Sequence, residues 1–108
     1  LNKIFGLEPA TDYAQLMKQG ATILDVRTKG EYSGRDIKGS VNISVDQLSG
    51  NLNRFPDKQK PIITCCASGM RSASAKSFLK SKGYENVYNG GSWSSLQHKL
   101  KNNLREGL

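Results

Sequence analysis

The chain contains only two cysteines and one histidine in 108 residues, and it has no long apolar stretch. No segment approaches the ~20 apolar residues that a membrane-spanning helix requires, so we expect no membrane association. Cys65 and Cys66 are adjacent, and a disulfide between neighbours would be strained, so a structural disulfide is not expected. His98 has no metal-ligating neighbours on its polar helical face, so we predict no metal site.

Repeats, low-complexity segments and linkers are also missing, which predicts one domain over residues 1–108. The net charge is +7, with 16 Lys and Arg against 9 Asp and Glu. This excess favours small anions or acidic protein surfaces as partners. The basic residues are scattered and form no platform with aromatic residues, so nucleic acid is not an expected partner.

The first ten residues, LNKIFGLEPA, lack the hydrophobic run of a signal peptide. We therefore expect a cytoplasmic protein, and a monomer. Because the chain does not begin with methionine, removal of a leader and a periplasmic location stay open.

Short apolar runs alternate with segments of helical periodicity, which predicts an α/β fold. The predicted strands are ATILDVR, SVNIS, KPIITCC and ENVYNGG, with a candidate first strand in KIFGL. The predicted helices are PATDYAQLMKQG, VDQLSGNLNRFPD, GMRSASAKSFLKSKG and one after Ser92 that carries Trp93, Leu96, Leu100 and Leu104. We expect an open, mostly parallel sheet of about five strands flanked by helices.

The loop CASGMRS follows the strand KPIITCC, at the sheet edge where ligands bind in such folds. Gly69 permits a tight turn whose backbone N–H groups point at an anion, and a helix from about Met70 adds its positive end. Arg71 can donate two parallel hydrogen bonds to an oxyanion. A cysteine at this loop would have a lowered pKa and act as a nucleophile.

Either cysteine could be that nucleophile from the spacing alone. Counted from Cys66, Arg71 closes a C-x4-R loop, whereas from Cys65 it closes C-x5-R. The two counts indicate different reactions.

Three segments in order, LDVRTKGEYSGRDIKGSVNIS, CCASGMRSASAK and VYNGGSW, resemble the motifs of rhodanese domains and cover most of residues 8–100. The resemblance implies a rhodanese-like fold with helices on both faces of a small sheet, and sulfurtransferase activity. It assigns Cys66 as the nucleophile that forms a persulfide, because Gly69 and Arg71 then fall at the family's offsets.

By the same resemblance, thiosulfate or another sulfane donor would lie against Arg71 and the loop, and cyanide or a thiol would accept the sulfur. A thioredoxin-like protein is one such thiol. No metal or organic cofactor is implied. The loop residues expected to bind the substrate are Ala67, Ser68, Gly69, Met70 and Ser72.

Asp25, Arg27 and Glu31 correspond to family positions beside the loop. For Asp25, the resemblance leaves two roles open: a catalytic one, in which it orients Arg71 or the loop, and a place in an ion-pair network. For Arg27 and Glu31 we expect the ion-pair network that braces the sheet edge.

The sequence departs from the family in two places. Arg35 and Asp36 replace a glycine-histidine step, and we expect Arg35 to be solvated. The loop carries Ala67 and Met70 where more polar or charged residues are common, so the donor is not identified.

Two alternatives come from other functional classes. A cysteine phosphatase or arsenate reductase would use Cys65 and the C-x5-R count. Thr64 stands where such phosphatases carry histidine, and no recognisable acid loop is present. We also expect the buried strand pattern to stop at Cys66. The second alternative is a non-catalytic interaction module, which has no need for cysteine, glycine and arginine in one loop.

Overall fold

The computed structural model describes residues 11–106, and the side chains of residues 11–102. Four helices are described: α1 (Tyr13–Lys18), α2 (Lys29–Tyr32), α3 (Met70–Ser81) and α4 (Trp93–Glu106). The strands are β1 (Thr22–Asp25), β2 (Val41–Asn42), β3 (Ile62–Cys66) and β4 (Val87–Ser92), and a 3₁₀ helix spans Val45–Arg54. Within residues 11–106, no helix is long and apolar enough to cross a bilayer.

The strands form a parallel sheet in the order β2-β1-β3-β4. The central strands β1 and β3 are in register, with Asp25 opposite Cys65. The predicted α/β fold with a parallel sheet and flanking helices is therefore confirmed. The described part of the sheet has four strands rather than about five, and the candidate strand KIFGL lies outside the described residues.

Each face of the sheet is covered by its own apolar cluster, since successive strand residues point to opposite faces. One cluster includes Ile62 and Cys66 together with Ala75 and Leu79 of α3. The other includes Ile63, Cys65 and Leu96 of α4. The two cysteines therefore face opposite layers of the molecule.

The predicted helix VDQLSGNLNRFPD is a 3₁₀ helix, and its apolar side chains face the core. Leu48 and Phe55 are buried, and Val45 and Leu52 pack against the same cluster. The backbone leaves helical geometry at Asn51, with φ −126° and ψ 19°, directly after the helix-weakening glycine.

Helix α1 ends as predicted, with Gly20 at φ +89°, a conformation that glycine adopts without steric cost. Leu16 faces the core. Met17, the next residue, is 38% exposed.

Gly90 of β4 packs against the neighbouring strand β3 and helix α4, and it has no room for a side chain. A Cβ there would stand 2.9 Å from Leu96 Cδ2, 2.9 Å from the Thr64 carbonyl oxygen and 3.0 Å from Ile63 Cγ2. We expect Gly90→Ala to lower the free energy of unfolding by about 1–3 kcal/mol, measured by urea denaturation. Gly50→Ala is the control, because nothing lies within 4 Å of its Cβ position. Equal stability of the two variants would contradict this packing.

Candidate active site

The loop, residues 66–72, comprises the last residue of β3, the turn 67–69 and the first residues of α3. It lies at the carboxyl edge of the sheet. Gly69 has φ +99° and immediately precedes Met70, the first residue of α3. A Cβ at Gly69 would also approach Gly91 Cα to 3.4 Å. The predicted turn and helix start are confirmed.

The loop amides converge on the sulfur of Cys66. The Gly69 N–H donates to Sγ at 2.9 Å and the Ser72 N–H at 3.3 Å. The thiol itself lies 3.5 Å from Ser72 Oγ, to which it donates. Burial raises the pKa of Cys66, but hydrogen bonds from the Ser72 hydroxyl and from the amides of Ser72, Gly69 and Ser68 outweigh it and bring the pKa below its ordinary value.

The expectation that the buried pattern stops at Cys66 is wrong. Strand β3 runs through Cys66, which pairs with Ser92 after a shift in register, and the residue is 0% exposed. The sulfur is therefore shielded from solvent.

The side chain of Asn89 in β4 forms hydrogen bonds to the loop. Ser72 Oγ donates to Asn89 Oδ1 at 2.6 Å, with the Gly69 carbonyl as a second acceptor at 3.0 Å. Asn89 also accepts from the Gly91 N–H at 2.9 Å and donates to the Gly69 carbonyl at 3.3 Å. Asn89 is not predicted as a site residue; its polar side chain before two glycines, in a strand next to β3, was the signal.

Ser72→Ala is expected to raise the pKa of Cys66, because it removes the hydroxyl whose hydrogen bond lowers that pKa. Below its pKa, Cys66 is mostly thiol, so the variant should react with iodoacetamide several-fold more slowly at neutral pH. The measurement is the pH profile of alkylation in a Cys65→Ala background. Ser68→Ala is the control, since Ser68 contributes its backbone amide. A midpoint that stays in place in Ser72→Ala would contradict the assigned hydrogen bond.

Asp25 and Arg27 form a buried ion pair behind the site. Arg27 Nε lies 3.0 Å from each Asp25 carboxylate oxygen, and Nη2 lies 2.8 Å from Oδ2. Arg27 also donates to the carbonyls of Glu31 at 3.0 Å and Arg35 at 2.6 Å. Of the two roles considered for Asp25, the structure shows the ion pair and does not bring Asp25 to Arg71; the predicted network is confirmed for Arg27.

Trp93 stacks on the same arginine, with 4.8 Å between its ring centroid and Arg27 Cζ. It also packs against the cluster around Cys65, so it is a core residue. Arg35 is exposed, as predicted, and so is His98.

Arg71 is bound by Glu31. Nη1 lies 2.7 Å from Oε1 and Nη2 lies 2.9 Å from Oε2, and both side chains are 38% exposed. Hydrogen bonds from Arg71, and then from the Thr28 amide, lower the pKa of Glu31 to about 2. The expected ion-pair role of Glu31 is therefore confirmed, and its partner is Arg71 of the loop.

Cys65 differs from Cys66 in its surroundings and in its pKa. It packs among Ile63 and Leu96, on the face of the sheet away from α3. Burial, and then the charge of Asp25, raises the pKa of Cys65 to about 12, so it is a neutral thiol at physiological pH. This geometry counts against the C-x5-R interpretation.

The predicted substrate-binding residues divide into two groups. Gly69 and Ser72 contact the sulfur, whereas Ala67, Ser68 and Met70 are exposed, with Met70 77% exposed.

The family model of the rhodanese-like domain matches residues 9–99. The chain belongs to this family. A rhodanese domain-containing protein of Drosophila melanogaster is 38% identical over an alignment of 92 residues. The match covers 71% of this chain and 82% of that protein. Thiosulfate sulfurtransferase GlpE of Haemophilus influenzae (strain PittEE) is 31% identical over 74 residues, or 68% of this chain and 70% of the enzyme.

The solved structures agree with this assignment. A rhodanese with anions from E. coli superposes on the rhodanese-like domain with a TM-score of 0.66 and 28% identity, over 69% of this chain and 89% of that one. The family match and the named sulfurtransferases place the chain in the rhodanese enzyme family.

Proposed function

We propose that this rhodanese-like domain is a sulfurtransferase that carries a sulfane sulfur as a persulfide on Cys66. The observation that supports this most strongly is the convergence of the Gly69 and Ser72 amides on Cys66 Sγ, at 2.9 and 3.3 Å. The same amides that stabilise a thiolate can stabilise the negative charge of a persulfide. The adjacent Cys65 lies in the apolar layer on the other face of the sheet, where burial and the charge of Asp25 disfavour a thiolate.

In the first half-reaction, the Cys66 thiolate attacks the outer sulfur of thiosulfate or of another sulfane donor. A new S–S bond forms and the donor's S–S bond breaks, and the leaving group departs with the electron pair: sulfite from thiosulfate, or a thiolate from a persulfide donor. The product is Cys66–S–S⁻, whose charge the loop amides hold. Local opening of the loop, through the exposed residues 67, 68 and 70, admits the donor.

In the second half-reaction, cyanide or a thiolate attacks the outer sulfur of the persulfide. The Cys66 thiolate leaves, and thiocyanate or a new persulfide is released. Both steps exchange one sulfur nucleophile or cyanide for another, so atoms and charge balance without metal or organic cofactor.

A thioredoxin-like protein is the kind of thiol acceptor that we propose. The net charge of +7 favours an acidic partner surface. Met70, an exposed residue of the loop, offers an apolar contact to such a partner. We further propose that the domain acts as a monomer in the cytoplasm.

The test is thiocyanate formation from thiosulfate and cyanide, and from a small-molecule persulfide and cyanide. We expect turnover with at least one donor, and none on a generic aryl phosphate. Absence of turnover with both donors would contradict the proposal and favour an interaction module, whereas aryl phosphate hydrolysis would favour the C-x5-R alternative.

A further inference from the structure

The loop has one positively charged side chain, and it already forms an ion pair. Residues 66–72 contain a single charged side chain, Arg71. Both of its terminal nitrogens donate to the two oxygens of Glu31, at 2.7 and 2.9 Å. This is the paired, parallel geometry in which an arginine would bind the oxyanion of a donor. A carboxylate therefore already occupies the two guanidinium nitrogens with which Arg71 would bind the oxyanion of a donor.

Glu31 is itself held in place by the start of α2. Its Oε1 accepts the Thr28 N–H at 3.0 Å, and its own N–H donates to Thr28 Oγ1 at 3.3 Å, which together make a capping box. With the pKa of Glu31 at about 2, the carboxylate stays charged at every physiological pH. The contact between Glu31 and Arg71 is thus built into the helix start.

We infer that Glu31 sets the donor preference of the site, by disfavouring free oxyanion donors such as thiosulfate and favouring thiol persulfides. This inference rests on the proposed function and names its substrate class. Thiosulfate carries two negative charges and needs Arg71, so it must displace Glu31 or approach against its charge. A persulfide, R–S–S⁻, carries one charge on sulfur and no oxyanion, so the loop amides suffice for it.

The size of the effect follows from the exposure of the pair. Both side chains are 38% exposed, so solvent and salt screen the interaction. Removing the carboxylate charge should therefore change donor selectivity by about three- to tenfold. The effect should shrink as the ionic strength is raised.

Glu31→Gln is the variant that isolates the charge, because glutamine also serves in a capping box and keeps the start of α2. The measurement is kcat/KM for thiosulfate and for the persulfide of 2-mercaptoethanol, which has no carboxylate, each with cyanide as acceptor. We expect the ratio of thiosulfate to persulfide to rise by about three- to tenfold over wild type at low salt. Alkylation of Cys66 by neutral iodoacetamide should change much less, since it does not use Arg71.

Glu85→Gln is the matched control. It makes the same change in net charge at an exposed residue just before β4, at the opposite edge of the sheet from the loop. We expect its donor ratio to equal that of wild type. An unchanged or lower ratio in Glu31→Gln, an equal gain for both donors, or an equal rise in Glu85→Gln would overturn the inference and leave the proposed function standing. A wild-type protein inactive with both donors would overturn both.

Discussion

Cys66→Ala is expected to abolish sulfur transfer, with the rate of thiocyanate formation falling by at least about 10³-fold. The thiolate is the group that attacks the donor and then carries the sulfur, and no other described group near the loop amides can replace it. Alanine fills most of the volume of the buried thiol, so the fold should persist. The measurement is steady-state turnover, with urea denaturation as a check on folding.

Cys65→Ala is the matched control, one residue away. Its side chain lies in the opposite layer with a pKa of about 12, so it contributes packing rather than chemistry. We expect turnover within about threefold of wild type, because the buried residue is replaced by a smaller apolar one. The reverse pattern, with activity lost only in Cys65→Ala, would support the C-x5-R alternative.

Asp25→Ala is expected to have the largest effect on stability, lowering the free energy of unfolding by about 3–5 kcal/mol. Asp25 is 0% and Arg27 3% exposed, so removal of the carboxylate leaves a guanidinium charge buried without its counter-ion. Urea denaturation of the variant and wild type measures the difference.

The double variant Asp25→Leu/Arg27→Met separates the ion pair from its surroundings. Replacement of both charges by apolar residues is often close to neutral, so we expect it to recover part of the loss. Asp25→Asn tests the catalytic role: because Arg71 is bound by Glu31 and not by Asp25, the folded variant should keep its kcat. A folded Asp25→Asn protein without turnover would contradict this account and restore the catalytic interpretation.

Local features of the sequence predict the parts of the fold that depend on neighbouring residues. The branched runs of β1 and β3 and the glycine before α3 each act within a few residues, and their positions are found as expected. The 3₁₀ helix is less regular than predicted, since Asn51 leaves helical geometry where a glycine weakens the preceding turn.

The local sequence pattern does not predict which distant residues contact one another. Glu31 and Arg71 are 40 positions apart, and Ser72 and Asn89 are 17 apart, and nothing in the local pattern pairs them. The burial of Cys66 has a similar origin. Its strand is extended by pairing with Ser92 across a shift in register, which depends on β4 rather than on the sequence around the cysteine.

The most direct test of the central claim, a persulfide on Cys66, is mass spectrometry of the Cys65→Ala protein, in which Cys66 is the only thiol. The protein is incubated with an excess of cysteine persulfide or thiosulfate, freed of small molecules and weighed intact, before and after addition of cyanide. We expect the protein to gain one sulfur atom per chain, mapped by fragmentation to Cys66 and removed by cyanide. No gain with either donor, while the wild-type protein gains a sulfur on Cys65, would contradict the central claim.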